Sequence, residues 1–582
     1  MNPKERNLMK TIYNIFFIVL VVYRITPASS ADISGIYDHA ENWDFDTLNV
    51  TGNVSVLLQD TESIIINPGT TVLFHDSYSF SIGNSRLKIN GSEEQPVRFT
   101  TSDTSVYWNG IYIDPTLYLF HGILYTPDQA FAEDTMRFTF CCFERCSQNY
   151  GAITITISYG RTPHPLVITG CKFTNNNCSG IYIQSQYPSE ASFPVQVIDC
   201  LFENNAKTAL YIFEQNPTIR KNNFYNNHRG GIELYRSSGQ ITDNIFENNQ
   251  RDGDGSALFA MADSDDTLLV TGNMFTNNSA GPAVSLEQLN VIVTDNSFSR
   301  NQCSNGKLGG GGLFLNNTGF AYVARNTFSE NSVTPDGDLT FGGGGLNVNG
   351  NSCRCIITNN LFVRNSASTG GAIHFNSTDS IYFFNNTVCS NTADLAPAIY
   401  FMSQRGMHYI SNSIFNLNQS SENDTSSIFA TNTKKKFILV SHCLLDYIDS
   451  SDTVFQFQKC LTGDPEFTDI TIDDFSLTKD SPAIDAGDND LSTFYTEETD
   501  ISGNLRIFNE TIDLGAFEYQ KSIECFFHPF QHSKYEKRKI FRISIFGTYR
   551  GFGPTYKLNG SVVRRKSRRR SLQGIVLIEA DR

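Results

Sequence analysis

Three things are missing from this chain of 582 residues. No segment after the N-terminus carries the 3.6-residue apolar period of an amphipathic helix, which excludes helical solenoids such as ankyrin stacks, and leucine-rich horseshoes. No later run reaches the length of about 18 apolar residues that a membrane helix needs, so no transmembrane helix is expected beyond the N-terminal segment. Positive charge is in deficit: the formal net charge is −16, and nucleic acid is not among the expected partners.

What the chain has is a repeated phrase: an apolar residue, usually Phe, then Asn. It recurs at Phe173-Thr-Asn-Asn176, Phe202-Glu-Asn-Asn205, Phe224-Tyr-Asn-Asn227, Phe246-Glu-Asn-Asn249, Phe275-Thr-Asn-Asn278, Phe298-Ser-Arg-Asn301, Phe328-Ser-Glu-Asn331, Phe362-Val-Arg-Asn365, Val388-Cys-Ser-Asn391 and Phe415-Asn-Leu-Asn418. Successive anchors are 22 to 34 residues apart, the period of a solenoid. A glycine-rich turn and a short β-prone strand follow each phrase, as in Gly230-Gly-Ile-Glu-Leu and Gly370-Gly-Ala-Ile-His-Phe. Another strand precedes it, as in Ile241-Thr-Asp-Asn and Val293-Thr-Asp-Asn. Three short strands per period, with no helix between them, define an all-β fold: a single-stranded right-handed parallel β-helix. At about 25 residues per coil, residues 40–465 would supply roughly 17 coils. Stacking places each Phe ring above the next in the core. It also lets each Asn amide bond to the amide of the next coil. These packing roles explain 42 Gly, 45 Phe and the heavy use of Asn together.

The expected organisation has four parts. Lys4, Arg6 and Lys10 precede the apolar core Ile12–Tyr23 and the small residues Ala28–Ala31, so residues 1–30 read as a secretory signal peptide. Residues 31–465 form the β-helix, 466–520 its terminal coils and cap, and 521–582 a basic, disordered tail. That tail has 15 Lys and Arg against 4 Asp and Glu, peaking at Arg564-Arg-Lys-Ser-Arg-Arg-Arg570. Secretion makes the sequons at Asn49, Asn53, Asn90, Asn277, Asn316, Asn376, Asn385, Asn418 and Asn423 glycosylation candidates. The 13 Cys are odd in number. The cluster from Cys141 to Cys200 suits either disulfides or buried thiols stacked in the core.

Two resemblances bear on function. Phe362-Val-Arg-Asn365 followed by Gly370-Gly-Ala-Ile373 resembles the repeat of the polymorphic outer-membrane proteins of chlamydiae, over roughly residues 143–418. That resemblance implies a β-helix acting in adhesion. The ordered set Gly463-Asp-Pro-Glu-Phe467, Ser481-Pro-Ala-Ile-Asp-Ala-Gly487, Asp500-Ile-Ser-Gly-Asn-Leu-Arg506 and Ile512-Asp-Leu-Gly-Ala-Phe-Glu518 is similar to the closing segment of large secreted β-helix proteins of the pectin-lyase-like superfamily. There the segment terminates the rod. Polygalacturonases of that superfamily carry Asn-Thr-Asp, Asp-Asp, Gly-His-Gly and Arg-Ile-Lys motifs; of these, this chain has only Asp265-Asp266.

Two clusters stand out as candidate sites. Asp252, Asp254, Asp263, Asp265 and Asp266 could gather the oxygens that calcium takes, or form a solvated acidic loop. Calcium is the one cofactor they suggest. Glu203, Arg220, Arg229, Glu233 and Arg236 form a mixed-charge patch suited to a glycan. His228 and His374, beside glycine turns, read as structural. The expected function is a secreted or cell-surface scaffold, monomeric, that binds polysaccharide or cell-surface glycan without catalysis. The alternative is a lyase or glycoside hydrolase acting on acidic polysaccharide, which would need paired carboxylates in a groove.

Overall fold

The computed structural model describes residues 29–520, apart from 59–62, 84–85, 115–134, 148–149, 158–164, 186–192, 263–266, 305–308, 335–341, 351–352, 404–405, 422–426, 432–437, 449–453 and 493–497. Beyond 520 it describes five short segments. The signal-peptide reading of 1–30 lies outside the described residues except for its last two, and the first strand is Ser30–Tyr37.

The coil in the middle of the chain shows how sequence becomes shape. Gly239–Thr242 belongs to a 16-stranded sheet. The chain turns at Asp243, φ 55°, into Ile245–Glu247, then turns again at Asn248, φ 56°. Gln250–Arg251 is a two-residue strand in a seven-stranded sheet, and Leu258–Met261 follows a loop. Thr267–Thr271 then lies parallel to Gly239–Thr242, one coil on. The left-handed turn positions favour Asn, whose short polar side chain tolerates that region. This is why the first Asn of each Asn-Asn pair recurs. The 16-stranded sheet has one strand per coil, in chain order, so the described residues make sixteen coils against the roughly 17 expected.

Short strands survive because each is bonded on both sides and buries one residue. In Ile245–Glu247 only Phe246 is fully buried. The Phe rings from Phe99 through Phe143, Phe173, Phe202, Phe224, Phe246, Phe275, Phe298 and Phe328 to Phe362 form one column with centroids 4.6–4.9 Å apart. That spacing is set by the separation between neighbouring strands, about 4.7–4.9 Å. Where Val388 interrupts the column, Phe383 of the facing sheet fills the gap, 6.4 Å from Phe362 and 6.1 Å from Phe415.

Two buried amide ladders run beside the rings. From Asn176 to Asn418, ten residues are joined by nine bonds, each from an Nδ2–H to the Oδ1 of the next coil's Asn at 2.9–3.1 Å. From Asn222 to Asn386 a second ladder does the same at 2.9–3.0 Å. Each Nδ2 also reaches a backbone carbonyl, as Asn278 does to Phe246 at 3.0 Å. A polar residue can therefore be wholly buried without an orphaned donor. Cysteine takes the second ladder's position at both ends: Cys141, Cys171 and Cys200 before it, Cys443 and Cys460 after Ser413. All twelve described cysteines are free thiols, ten of them buried, which favours the stacked-thiol reading over disulfides.

Residues 466–518 depart from the coil pattern. Phe467–Asp469 pairs antiparallel with Asp474–Leu477, and the rest is mostly turns laid along the flank of earlier coils. Ala516 N–H donates to Thr387 Oγ1 at 2.9 Å, Gly515 N–H to the Asn412 carbonyl at 2.8 Å, and Asn385 to the Asp513 carbonyl at 3.2 Å. The segment thus straps the side of the rod, where the sequence reading placed terminal coils and a cap. The cause is local: an outward position held by Thr276, Ser299 and Ser329 in the preceding coils becomes Val363 and then Cys389, beside Leu361, and Phe467, Phe475, Ile501 and Phe517 cover them. Asp485, in the left-handed region at φ 53°, and Asp513 serve turns, with Asp485 N–H bonded to Asp513 Oδ1 at 2.7 Å.

Residues 519–582 form a second unit. Its described strands are Phe526–His528, Phe541–Ser544 and Ile575–Ile578 in one antiparallel sheet, and Thr555–Leu558 with Ser561–Arg564 in a second. The basic run after Arg564 lies outside the described residues. Among the described residues, no helix is long and apolar enough to cross a membrane.

Candidate functional site

The glycine-led strands carry a column of side chains on their outer face. In Ser179–Ser185 and Leu210–Phe213, Ile181, Ile183, Leu210 and Ile212 point into the core, so the residues between them, Tyr182 and Tyr211, point out. Register puts Tyr182 opposite Tyr211, Tyr211 opposite Glu233, and Glu233 opposite Phe259. The rings make a continuous run: Tyr150 to Tyr182 at 5.1 Å, Tyr182 to Tyr211 at 4.4 Å, Tyr211 to Tyr235 at 5.6 Å, and Tyr235 to Phe259 at 5.2 Å. Tyr150 is exposed; Tyr182, Tyr211 and Tyr235 are half-buried. Burial, with neighbouring phenols and Glu233, pushes the Tyr211 hydroxyl well above its usual pKa, so it stays a neutral donor and acceptor.

At the far end of the run Glu233 is buried. Thr208 Oγ1 and the Arg251 guanidinium both contact its Oε1, and Arg251 also reaches Asp254 at 2.7 Å. Arg251 lies over the Phe259 ring, 5.4 Å from its centroid. Burial raises the Glu233 pKa, and the adjacent Arg251 charge opposes the rise. The pair pins the loop after Arg251 against the aromatic column.

The residues singled out in sequence fall in several places. Glu203 sits in the Phe strand Leu201–Glu203, Arg220 in the 16-stranded sheet, and Arg229 in an exposed turn. Arg236 meets Glu214 at 3.4 Å and the Phe213 ring at 5.9 Å. Of these five, only Glu233 joins the column, and its partners are Arg251 and Thr208. Asp252 is exposed, Asp254 is bound to Arg251, and Asp263, Asp265 and Asp266 lie outside the described residues. Among the described residues no group of three or more His, Cys, Asp or Glu could hold a metal ion. His228 is exposed, and His374 is buried with Nδ1 3.2 Å from Thr369 Oγ1. Among the sequons, Asn53, Asn90 and Asn277 are exposed, while Asn49, Asn316, Asn376 and Asn418 are half-buried. Asn385 is wholly buried under the strap, and Asn423 lies outside the described residues. Tyr182, Tyr211 and Arg251 were not singled out in sequence. The signal was the triplets Ile111-Tyr-Ile113, Ile181-Tyr-Ile183 and Leu210-Tyr-Ile212, readable only once the coils are in register.

A concave surface lies on the seven-stranded sheet. It is a cleft of about 450 Å³ lined by Ser366, Ser368, Thr392, Asp394, Gln419 and Ser421 among others.

The fold defines a right-handed parallel β-helix. A family model described as the right handed beta helix region matches residues 122–298 and 190–406. Among solved structures, the chain is similar to two mutants of a periplasmic alginate epimerase, AlgG. One shares 12% identity over 69% of this chain and 79% of that chain with a TM-score of 0.29. The other shares 12% over 68% and 79% with a TM-score of 0.28. Superposition that loose carries none of the epimerase's properties to this chain. No curated protein matches.

Proposed function

We propose that this chain is an extracellular β-helix scaffold that binds glycan chains through the aromatic run from Tyr150 to Phe259. The carrying observation is the stacked, partly exposed column of Tyr182 and Tyr211 with Tyr150 and Tyr235 beside it. Tyr182 and Tyr211 cover each other's faces, so the column offers a sugar its ring edges and its hydroxyls, an apolar rim beside donors and acceptors for the sugar oxygens. The run, with centroids 4.4–5.6 Å apart along successive coils, suits an extended polymer. The neighbouring carboxylate argues for binding over catalysis. Thr208 and Arg251 share one Glu233 oxygen, and Arg251 engages Asp254, so both carboxylates are committed to holding the loop. Exposed sequons at Asn53, Asn90 and Asn277 suit a protein that passes through a secretory pathway.

The test is titration of the full chain with neutral and uronate oligosaccharides, alongside an assay for reducing ends and unsaturated products. Binding without turnover is expected. Tyr182→Ala with Tyr211→Ala should weaken it at least about tenfold, a change of about 1.4 kcal/mol. Turnover that disappears in Glu233→Gln would replace this reading with a polysaccharide lyase or hydrolase.

A further inference from the structure

Cysteine occupies the last two steps of the ladder that Asn occupies in the middle of the rod. Leu444–Leu445 and Leu461–Thr462 pair in parallel with Leu444 opposite Leu461, so Cys443 and Cys460, one residue earlier in each, face each other across adjacent coils. Leu461 N–H donates to the Cys443 carbonyl at 2.7 Å, which fixes that register. Strand neighbours about 4.7–4.9 Å apart fall inside the span of about 4.4–6.8 Å that a disulfide bridges between Cα atoms. Both side chains point the same way: the Cys443 thiol donates to the Ser441 carbonyl at 3.3 Å, and the Cys460 thiol reaches the Val440 carbonyl at 3.4 Å.

We propose that Cys443 and Cys460 are an oxidation-driven staple, whose disulfide ties the last coil to the coil before it. Their surroundings divide the labour. Cys443 is buried, and burial raises its pKa. Cys460 is half-exposed, and its hydrogen bond with the Cys443 thiol lowers it to about 7. Cys460 is therefore the attacking thiolate. It attacks a small disulfide such as oxidised glutathione, breaking the S–S bond and releasing one glutathione thiolate. The Cys443 sulfur then attacks Cys460 in the mixed disulfide. The second glutathione leaves and takes up the Cys443 proton. The two protein thiols lose two electrons and the oxidant gains them as two thiols. Cys171 and Cys200 hold the same ladder position deep in the rod, fully buried and with pKa values raised by that burial, so they stay reduced. The last coil gains most from a tie. It has a neighbour on one side only, with Leu461 exposed and Phe457 half-buried.

The test exposes the folded full chain to oxidised glutathione, alkylates free thiols, and maps peptides without reduction. The expected product joins Cys443 to Cys460. Cys443→Ser should trap glutathione on Cys460, and Cys460→Ser should leave Cys443 unmodified until the chain is unfolded. In the linked wild type, hydrogen exchange over residues 438–462 should slow, and dithiothreitol should restore it. A folded chain, verified by its β-type circular dichroism, that keeps both thiols free would overturn the proposal. So would wild type that stops at a glutathione adduct, or that links Cys171 to Cys200 first.

Discussion

At the scale of single residues the fold rests on positions that repeat identically, and each can be tested alone. Phe246 lies 4.7 Å from Phe224 and 4.9 Å from Phe275, wholly buried. Phe246→Ala should cost about 3–5 kcal/mol, read as a fall in the denaturant midpoint of the surrounding coils. Combined with Phe275→Ala, the loss should be non-additive, because the two share a contact. His374 gives a pH signature. Burial lowers its pKa from 6.5 to about 4, so the folded state holds the ring neutral. The unfolded chain takes up a proton first as pH falls. The stabilisation is complete above pH 6.5 and drains away between 6.5 and about 4, by up to about 3 kcal/mol. In His374→Gln the stability-against-pH curve should flatten over that window; an unchanged slope would mean the ring is solvated. These residues differed in how they could be read. Phe246 was legible because its neighbours recur in sequence at the coil period. The outward position of Tyr211 was not, because it follows only from strand register.

The strap is the informative element. Its turns are held by buried charge: Arg506 donates to the carbonyls of Asp513 at 2.9 Å and Gly515 at 2.6 Å, and Glu518 accepts the N–H groups of Phe508 and Asp513 at 3.1 Å each. Burial raises the Glu518 pKa to about 8, with the Arg506 charge opposing. Besides the hydrogen bonds to Thr387, Asn385 and Asn412, the contact with the rod has an apolar part: Phe475 against Leu361, Val363 and Cys389. Phe475→Asp should detach the strap and leave the coils formed. Limited proteolysis would then cut within 466–518 much faster than in wild type, while far-UV circular dichroism stays that of β structure. Loss of the β signal instead would mean the strap is needed for the coils themselves. Its motifs were recognisable in sequence but its destination was not, since it pairs residues as far apart as Thr387 and Ala516. The one hint was the shift of one outward position from Thr276, Ser299 and Ser329 to Val363.

For the whole rod, each coil contacts its two neighbours and little else, apart from the coils under the strap. Stability is therefore a sum of local terms. Hydrogen exchange should show the terminal coils opening well before those around Phe246, with no single global transition. Phe246→Ala should raise exchange in the coils that hold Phe224 and Phe275 and leave the coil of Phe415 unchanged. Uniform protection from end to end would show instead that the rod opens as one unit. Approximate coil number was legible because the sequence repeats its Phe and Asn phrase ten times at the coil period. The binding face was less legible, because a solenoid keeps its packing residues periodic and places its working residues anywhere along one side.

The buried Asn ladders have a direction. Every amide-to-amide bond runs from Nδ2 to the Oδ1 of the next coil, toward the C-terminal end, while the other N–H of each Nδ2 goes to a backbone carbonyl of the coil before. Head-to-tail amides add their dipoles as peptide groups do in an α-helix, so each column is a macrodipole whose N–H pole faces the last coils. Asp446 stands at that pole. Its carboxylate accepts the backbone N–H of Leu417 at 2.9 Å and of Asn418 at 3.3 Å, and the amide of Asn416 at 3.3 Å. At the other pole the Asn176 carbonyl oxygen meets the Cys146 N–H at 2.9 Å. The rod is electrically a polar filament with an acid seated at its positive end, independent of the sign of its surface charge.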